Sequence, residues 1–334
     1  MKPFTLATPA DTGEAVRLVA GDPDAAFLGG GTNLVDHLKL GVATPGALVD
    51  VTRATSAEVT DLPDGGLRVG AAVRNGEFTA DRRARERYPV VVQSLLAGAS
   101  GQLRNMATIG GNPLQRTRCV YFQDVTTPCD KREPGSGCGA RGGYTRYHAI
   151  LGASEHCIAT HPSDLAVALA AVDATVHVLG ADGERTLPFT DLHRLPGDQP
   201  ERDTTLAHGK LITAIDLPAL PMARRSLYRK VRDRASYAFA LISVAAAVEL
   251  DGDRIRDVRI ALGGVAHKPW RAHRAEAVLR DARPLEETFQ AAAAEELADA
   301  RPLDGVDGGN AFKTTLAART IVAALRDLTE GARS

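Results

Sequence analysis

The sequence predicts an α+β protein built from three consecutive parts. Strands and helices alternate over residues 1–55, which is typical of a small α/β unit. Residues 56–218 combine hairpin strands with helices, and residues 222–334 are predicted to form three antiparallel strands followed by helices. The chain has 334 residues, of which 44% are hydrophobic. It is therefore long enough to bury two or three separate cores.

Charge and hydropathy exclude several classes of partner. The 40 basic and 41 acidic residues are interspersed, so we expect no nucleic acid partner. The longest apolar run, residues 237–248, is too short to cross a bilayer, so we expect no membrane insertion. No apolar signal segment follows the initial Met-Lys-Pro-Phe. We therefore expect a cytoplasmic protein, or one exported folded with a partner that carries the signal.

A glycine run is the main feature of the first part, residues 1–55. Asp11 or Thr12 can cap a helix ending at residue 20, and a buried strand at residues 25–28 leads into Gly29-Gly30-Gly31-Thr32-Asn33. A helix over residues 34–40 and a strand over residues 47–51 follow. Successive glycines let backbone N–H groups approach bound negative charge. The run is neither a Rossmann fingerprint nor a P-loop, and a plain tight turn is the alternative.

The second part, residues 56–218, contains a predicted hairpin turning at Asp64-Gly65. Helices are predicted over residues 75–87, 89–99 and 164–171, the last capped by Ser163 or Asp164. Strands are predicted over residues 175–179, 184–188 and 211–215. After a linker at residues 218–221, the third part has predicted strands at 226–232, 238–250 and 255–262, then helices at 272–280, 284–299 and 312–328.

All four cysteines of the chain fall within one stretch of the second part. Cys119, Cys129, Cys138 and Cys157 are separated by nine, eight and eighteen residues, in text rich in glycine and proline. A loop of this length needs something other than a hydrophobic core to order it. A metal centre held by four thiolates would do so, whereas disulfides suit small secreted domains. The spacings leave zinc and an iron–sulfur cluster both open.

Two segments resemble the FAD-binding subunits of molybdenum hydroxylases. Residues 102–112, Gln-Leu-Arg-Asn-Met-Ala-Thr-Ile-Gly-Gly-Asn, are similar to the second flavin-binding segment of that family. Gly30-Gly31-Thr32-Asn33-Leu34 is similar to its first flavin loop. In most members a short turn separates Gly-Gly-Asn from a later Ser-Asp-Leu, but here 51 residues lie between Asn112 and Asp164. That interruption resembles the insertion that carries a [4Fe-4S] cluster in a minority branch, and it is closest to the aldehyde oxidoreductase type.

The resemblance covers essentially the whole chain and implies a fold. It implies a two-part FAD-binding region of the PCMH/vanillyl-alcohol-oxidase type, formed by residues 1–55 and 56–218, with the cluster insertion at about residues 113–160. A C-terminal domain like that of CO dehydrogenase flavoproteins would follow over residues 222–334. The implied cluster ligands are Cys119, Cys129, Cys138 and Cys157. The implied FAD-binding residues are Leu28, Gly29, Gly30, Gly31, Thr32, Asn33, Leu34, Thr108, Gly110, Gly111, Asn112, Asp164 and Lys230.

The resemblance also implies individual roles. The glycine segments would offer backbone amides to the pyrophosphate, and Asp164 would accept hydrogen bonds from ribityl or ribose hydroxyls; a helix N-cap is its alternative role. Lys230 would place positive charge near the isoalloxazine ring, and a solvated strand face is its alternative. His148, His156 and His161 are interpreted as structural residues or supports near the cluster loop, because four thiolates already complete a cluster.

No residue pattern predicts a catalytic acid, base or nucleophile. Gly-x-Ser-x-Gly, His-Glu-x-x-His and Ser-x-x-Lys are all missing from the sequence. The resemblance implies an electron-transfer oxidoreductase subunit, active with a large molybdenum-cofactor subunit, a small [2Fe-2S] subunit and an external electron acceptor. Two alternatives are a self-contained FAD oxidase or dehydrogenase, and a non-catalytic module with a structural zinc site.

Overall fold

The computed structural model describes residues 1–330, so the last four positions of the predicted third part, 331–334, lie outside the described residues. Within residues 1–330 the strands form three sheets, one in each predicted part. The mixed α+β class predicted from the sequence is confirmed. In the same range, no helix is both long and apolar enough to cross a membrane.

The first sheet is parallel and has Ala47–Asp50 between Thr5–Ala7 and Ala25–Leu28. Sequence reasoning missed the short edge strand Thr5–Ala7. The two predicted helices are confirmed as Thr12–Ala20 and Leu34–Leu40. The Asp11 side chain caps the first helix by accepting from the Glu14 N–H, and Gly41 ends the second in the left-handed region with φ 73°. The glycine run therefore lies between a parallel strand and a helix.

The second sheet is antiparallel, in the order Val59–Asp61, Leu67–Gly70, Leu211–Leu217, Thr175–Gly180 and Gly183–Pro188. Its helices are Asn75–Ala80, Arg82–Arg87, Pro89–Ala97, Gly101–Arg104 and Asp164–Ala171. The predicted single helix over residues 75–87 is wrong. Asp81 adopts an extended conformation with ψ 124°, and its carboxylate accepts from the N–H groups of Arg83 and Ala84. Asp81 thus ends one helix and caps the next.

The third sheet is antiparallel, in the order Ser226–Val231, Ile242–Asp251, Arg254–Gly263 and Trp270–Arg271. The two-residue edge strand extends the predicted three-stranded sheet. The predicted helices are confirmed as His273–Leu279, Glu286–Glu296 and Phe312–Glu330.

The strand Ile242–Asp251 is buried on both faces, which explains its unbroken apolar sequence. Val244 and Ala246 belong to the core under the C-terminal helices, whereas Ala245 belongs to the core of the second part. Because one strand serves both cores, the second and third parts pack directly together.

The cysteine-bearing stretch between Asn112 and Ser163 has little regular structure. It contains a 3-10 turn at Asn112–Leu114 and a short helix at Val120–Gln123. Polar contacts hold the rest. Arg132 donates to the carbonyls of Tyr121 and Phe122 at 2.8 and 2.9 Å, and the backbone N–H of Arg146 donates to the Asp307 carboxylate at 3.0 Å. The insertion is therefore tied both to itself and to the C-terminal part.

Candidate functional site

A cavity of about 1330 Å³ is lined by residues from all three parts, including Gly30, Thr108 and Lys230. Small-ligand pockets usually measure roughly 300–1,000 Å³, so this one suits an extended ligand such as a dinucleotide. Every residue predicted to bind FAD lines this cavity except Leu28, which ends the neighbouring strand. The topology thus brings together residues that lie up to two hundred positions apart in the chain.

The two glycine segments contact each other at the cavity wall. A Cβ on Gly30 would overlap the carbonyl oxygen of Met106, and a Cβ on Gly29 would lie 3.0 Å from Thr108 Oγ1. Gly31 has φ 73°, which L side chains rarely adopt. Glycine is required at Gly30 by close packing of backbone on backbone and at Gly31 by conformation. The backbone at Gly30 therefore packs closely against the second glycine segment, not against a bound ligand.

The backbone N–H groups of the two glycine segments differ in whether the protein itself supplies their hydrogen-bond acceptors. Within residues 1–330, the N–H groups of Gly31, Thr32 and Asn33 have no protein acceptor, so they are available to a bound phosphate. The N–H groups of Gly110 and Asn112 instead donate to the carbonyls of Ala71 and Thr108.

The Gly111 N–H donates to Thr108 Oγ1 at 3.2 Å. The expectation that the second segment offers free amides is therefore wrong for Gly110, Gly111 and Asn112, because a tight turn uses them. The segment contributes shape and packing to the cavity wall.

Asp164 and Lys230 form an ion pair in the wall of the cavity. Lys230 Nζ donates to Asp164 Oδ2 at 2.7 Å, and the Tyr228 hydroxyl donates to Asp164 Oδ1 at 2.6 Å. The Lys230 side chain is 3% exposed, which excludes the solvated strand face. Ser163 caps the helix Asp164–Ala171 by accepting from the Ala166 N–H, so Asp164 is not the N-cap. Its carboxylate instead joins Lys230 and Tyr228 at the cavity wall.

Several buried polar atoms on the cavity wall have no partner among residues 1–330. They are Asn75 Oδ1, Arg118 Nε, His148 Nδ1, His161 Nε2 and Ser243 Oγ, five of the eight such side-chain atoms in that range. Buried polar groups are normally hydrogen-bonded. Their concentration here fits a ligand with many hydroxyl, phosphate and ring-nitrogen groups, as FAD has. Of these residues, sequence reasoning had singled out His148 and His161, and it missed Asn75, Arg118 and Ser243.

Burial determines the protonation state of His161. It holds the pKa of the imidazole well below its usual range, so the ring is neutral near pH 7. A neutral imidazole has one donor and one acceptor nitrogen. His161 packs edge-on against His193, with ring centroids 4.4 Å apart, and its Nε2 remains available for a ligand. No local sequence pattern indicated this role, since the packing partner is 32 residues away.

The four cysteines line one small cavity, so they lie close together in space. None of the four is in a disulfide. Burial raises the pKa of Cys119 to about 12 and that of Cys157 to about 11, so both are thiols until a cation displaces the proton. As the side chains stand, no three His, Cys, Asp or Glu residues within residues 1–330 are arranged to hold a single metal ion.

An ion network holds the cysteine-bearing insertion against the loop before strand Leu211–Leu217. Lys131, with a side chain 1% exposed, pairs with Asp203, and Arg116 Nε donates to the same carboxylate at 2.7 Å. Burial would raise the pKa of Asp203, but His267, whose Nε2 lies 3.6 Å from Asp203 Oδ1, and the charges of Lys131 and Arg116 outweigh it and hold that pKa well below its usual range. The Arg116 N–H also donates to Asn33 Oδ1 at 2.9 Å, so the insertion touches the first glycine segment.

The three histidines near the insertion have different surroundings. His148 is buried and its Nε2 lies 3.2 Å from Cys119 Sγ. His156 is largely exposed and faces Asp130 at 3.6 Å, and His161 lines the large cavity. The interpretation of His148 as a support near the cysteines therefore agrees with its contact, whereas His161 belongs to the larger site.

This architecture defines a flavin-binding subunit with two glycine segments facing one extended cavity. A family model described as "FAD binding domain in molybdopterin dehydrogenase" matches residues 2–220, and one described as "CO dehydrogenase flavoprotein C-terminal domain" matches residues 226–328. The chain therefore belongs to the FAD-binding medium subunits of the molybdenum hydroxylase family, and it is an oxidoreductase subunit.

Its relatives include an aldehyde oxidoreductase component. The chain is 48% identical over 334 residues to the aldehyde oxidoreductase FAD-binding subunit PaoB of Escherichia coli, covering 98% of each chain. It is 28% identical to the glyceraldehyde dehydrogenase medium chain of Sulfolobus acidocaldarius, covering 79% of this chain and 76% of that one. The fold is similar to quinoline 2-oxidoreductase from Pseudomonas putida 86, with a TM-score of 0.76, 23% identity and 100% of each chain covered.

Proposed function

We propose that this chain is the electron-transfer flavoprotein subunit of a molybdenum-containing aldehyde oxidoreductase. The observation that carries the proposal is the 48% identity, over 98% of both chains, to an aldehyde oxidoreductase FAD-binding subunit. The cavity supports it, because its size, its unpaired amides and its orphaned polar atoms fit FAD. FAD would supply the redox chemistry, and the protein would bind it, orient it and exclude water.

The residues that would hold FAD fall into three groups. The N–H groups of Gly31, Thr32 and Asn33 would donate to the pyrophosphate. Asp164, fixed by Tyr228 and Lys230, would accept hydrogen bonds from ribityl or ribose hydroxyls. Lys230 would keep a positive charge close to a flavin that becomes more negative on reduction. These assignments rest on the unpaired N–H groups of the first glycine segment and on the positions of Asp164 and Lys230 in the cavity wall.

We further propose that Cys119, Cys129, Cys138 and Cys157 hold a [4Fe-4S] cluster. The support is that all four thiols line one cavity and none is in a disulfide. A single zinc ion would need all four sulfurs about 2.3 Å from one point. A cluster spreads the sulfurs further apart, since each thiolate binds a different iron. Four thiols that line one cavity, with no three among residues 1–330 arranged to hold a single ion, therefore suit the cluster better than one ion.

The same reasoning extends to the partners. Since the residues suggest no acid, base or nucleophile for substrate, oxidation would take place on a large molybdenum-cofactor subunit. Electrons would arrive through a small [2Fe-2S] subunit and leave from FAD to an external acceptor. The name "medium chain" carried by relatives agrees with a complex that also contains a larger and a smaller chain.

The cofactor content of the purified protein tests the proposal. We expect flavin bands with broad iron–sulfur absorption, one FAD per chain, and about four iron and four sulfide per chain. Each Cys→Ser variant should lose iron, whereas Thr126→Ala, an exposed change in the same insertion, should keep it. Zinc in place of iron would support the structural module. Full iron in all four Cys→Ser variants would show that the thiols are not the ligands.

Turnover tests the relay role. The isolated chain, loaded with FAD and iron, should not oxidise aldehydes with a dye acceptor, whereas the complex assembled with its two partners should. Comparable rates for the isolated chain would establish the self-contained flavoenzyme instead.

A further inference from the structure

The large cavity and the cysteine cavity share a wall. Thr117, Cys119 and His148 line both. Of the four cysteines, Cys119 alone lines the large cavity as well, and Cys129, Cys138 and Cys157 line the small one only. Cys119 is therefore the thiol on the side of the cysteine cavity that faces the flavin site.

One side chain in this wall contacts a cysteine sulfur. His148 Nε2 lies 3.2 Å from Cys119 Sγ, within hydrogen-bonding distance for sulfur. Among residues 1–330, no other side chain forms a hydrogen bond with a cysteine sulfur. A metal-bound thiolate carries no proton, so a bond between these two atoms requires the ring N–H to donate.

The C-terminal part of the chain holds His148 in place. Lys313 Nζ donates to the His148 carbonyl at 2.8 Å, and Asn310 Nδ2 donates to the same oxygen at 3.2 Å. The His148 N–H donates to the Thr145 carbonyl at 2.9 Å. All three supporting residues are buried. The ring is thus presented to Cys119 from a fixed backbone, which a positioning role requires.

We propose that His148 is a positioning residue for the cluster, donating its Nε2–H to the Cys119 thiolate and raising the reduction potential of the [4Fe-4S] centre. The proposal rests on the proposed function, because it needs the cluster to be present. Reduction adds one electron to the cluster and increases negative charge on its sulfurs. A hydrogen bond to sulfur stabilises the reduced form more than the oxidised form, so the potential rises.

The test compares variants in the complete chain with FAD bound. His148→Phe removes the donor and keeps a ring, and His148→Gln restores an N–H. His156→Phe is the matched control, because His156 also lines the cysteine cavity but faces Asp130. The measurements are iron per chain and a dithionite titration of the cluster followed by EPR. At the wild-type midpoint, we expect His148→Phe to lower the ratio of reduced to oxidised cluster roughly tenfold, as loss of a charge-assisted hydrogen bond predicts.

His148→Gln should recover most of that ratio, and His156→Phe should match the wild type. If His148→Phe does not retain iron, His148→Leu makes the same comparison. An unchanged midpoint in an iron-replete donor-free variant would overturn the inference. Loss of iron from every His148 variant would also overturn it, since the ring would then serve assembly instead of the potential. A wild-type protein without iron would refute the proposed cluster itself, which is a distinguishable result.

Discussion

Lys230 Nζ lies 2.7 Å from Asp164 Oδ2, and both groups are buried in the cavity wall, with side chains 3% and 10% exposed. The pair joins the first turn of a helix in the second part to a strand in the third. Tyr228, two residues before Lys230 on the same face of that strand, donates to the other carboxylate oxygen at 2.6 Å. The three side chains form a bridge between the domains at the proposed flavin site.

This bridge predicts unequal effects for its two charged members. Asp164→Ala leaves the Lys230 ammonium buried and unpaired, which should lower the free energy of unfolding by about 3–5 kcal/mol. Lys230→Met should cost less, because Asp164 keeps the Tyr228 hydroxyl and its favourable place in the first helical turn. Urea unfolding followed by circular dichroism measures both.

The pair of Lys210 with the exposed Asp182 is the control for the bridge. Asp182 is 73% exposed, so Asp182→Ala should change stability by less than about 1 kcal/mol. The double variant Asp164→Ala/Lys230→Met should be more stable than Asp164→Ala. An Asp164→Ala protein as stable as Asp182→Ala would mean that the bridge is not buried in solution.

Packing of the two glycine segments predicts which glycine is indispensable. In Gly30→Ala the new methyl would overlap the Met106 carbonyl, so the two segments must separate, at a cost of roughly 1–3 kcal/mol. FAD affinity should fall about tenfold or more, because 1.4 kcal/mol corresponds to a factor of ten. FAD binding is measured by flavin fluorescence quenching after removal and re-addition of FAD.

Substitutions at two further glycines serve as controls for the FAD-binding measurement. Gly111→Ala places a methyl 2.9 Å from Thr108 Oγ1 at an exposed position without positive φ, so its effect should be smaller. Gly101→Ala meets nothing within 4 Å and should bind FAD normally. Equal affinities for Gly30→Ala and Gly101→Ala would contradict the contact between the segments.

Local signals explain what the sequence could predict. A helix cap, a helix end and a glycine loop each depend on residues close together in the sequence. The cap at Asp11, the helix end at Gly41 and the candidate ligand loop at the glycine run could therefore be predicted. Asp81 was missed as a helix break because residues 82–87, directly after it, consist only of Arg, Ala and Glu, which are all good helix formers. The clustering of cysteines indicated a shared site but gave no sign of which thiol would face the large cavity.

Long-range relationships were beyond the sequence. Asp164 and Lys230 are 66 residues apart, and Lys131 meets Asp203 across 72 residues. Such pairs depend on how the sheets pack. The residues next to a single charged side chain on a strand do not indicate which distant residue will pair with it. The same holds for His148, whose contact with Cys119 depends on support from Asn310 and Lys313 in the last part of the chain.

The buried carboxylate of Asp203 predicts a pH-dependent role in ordering the insertion. The ordinary pKa of an aspartate is about 3.9, and that of Asp203 in the folded chain is held well below it. The stability that Asp203 contributes is therefore fully present above the ordinary value and is lost as the pH falls through the folded-state pKa. Asp203→Asn should therefore be less stable than the wild type at pH 7 by about 3–5 kcal/mol, since it leaves Lys131 unpaired. Urea unfolding at several pH values should show this difference shrinking as the wild type is acidified below pH 4. A difference that stays constant down to pH 3 would rule out this ionisation as its source.

Lys313 predicts a pH dependence of the same sign in a higher pH range. Burial lowers the pKa of its ammonium to about 7, against an ordinary value near 10.4. Between these values the unfolded chain binds one more proton than the folded chain, so the free energy of unfolding rises with pH. The slope reaches at most about 1.4 kcal/mol per pH unit for one proton. In Lys313→Met this contribution disappears, together with the hydrogen bonds to the His148 and Gly264 carbonyls.

The stability advantage of the wild type over Lys313→Met should therefore grow from pH 7 to pH 9, by about 1 kcal/mol per pH unit. Urea unfolding of both proteins at pH 7, 8 and 9 measures it, with Lys39→Met on the exposed face of helix Leu34–Leu40 as a control that should run parallel to the wild type. Two curves of equal slope for wild type and Lys313→Met would show that Lys313 stays charged in the folded state, with the carbonyls of His148 and Gly264 compensating for its burial. A neutral Lys313 at pH 9 would still hold the His148 carbonyl, because an amine keeps two N–H donors. The support beneath the Cys119–His148 contact should therefore persist across this pH range.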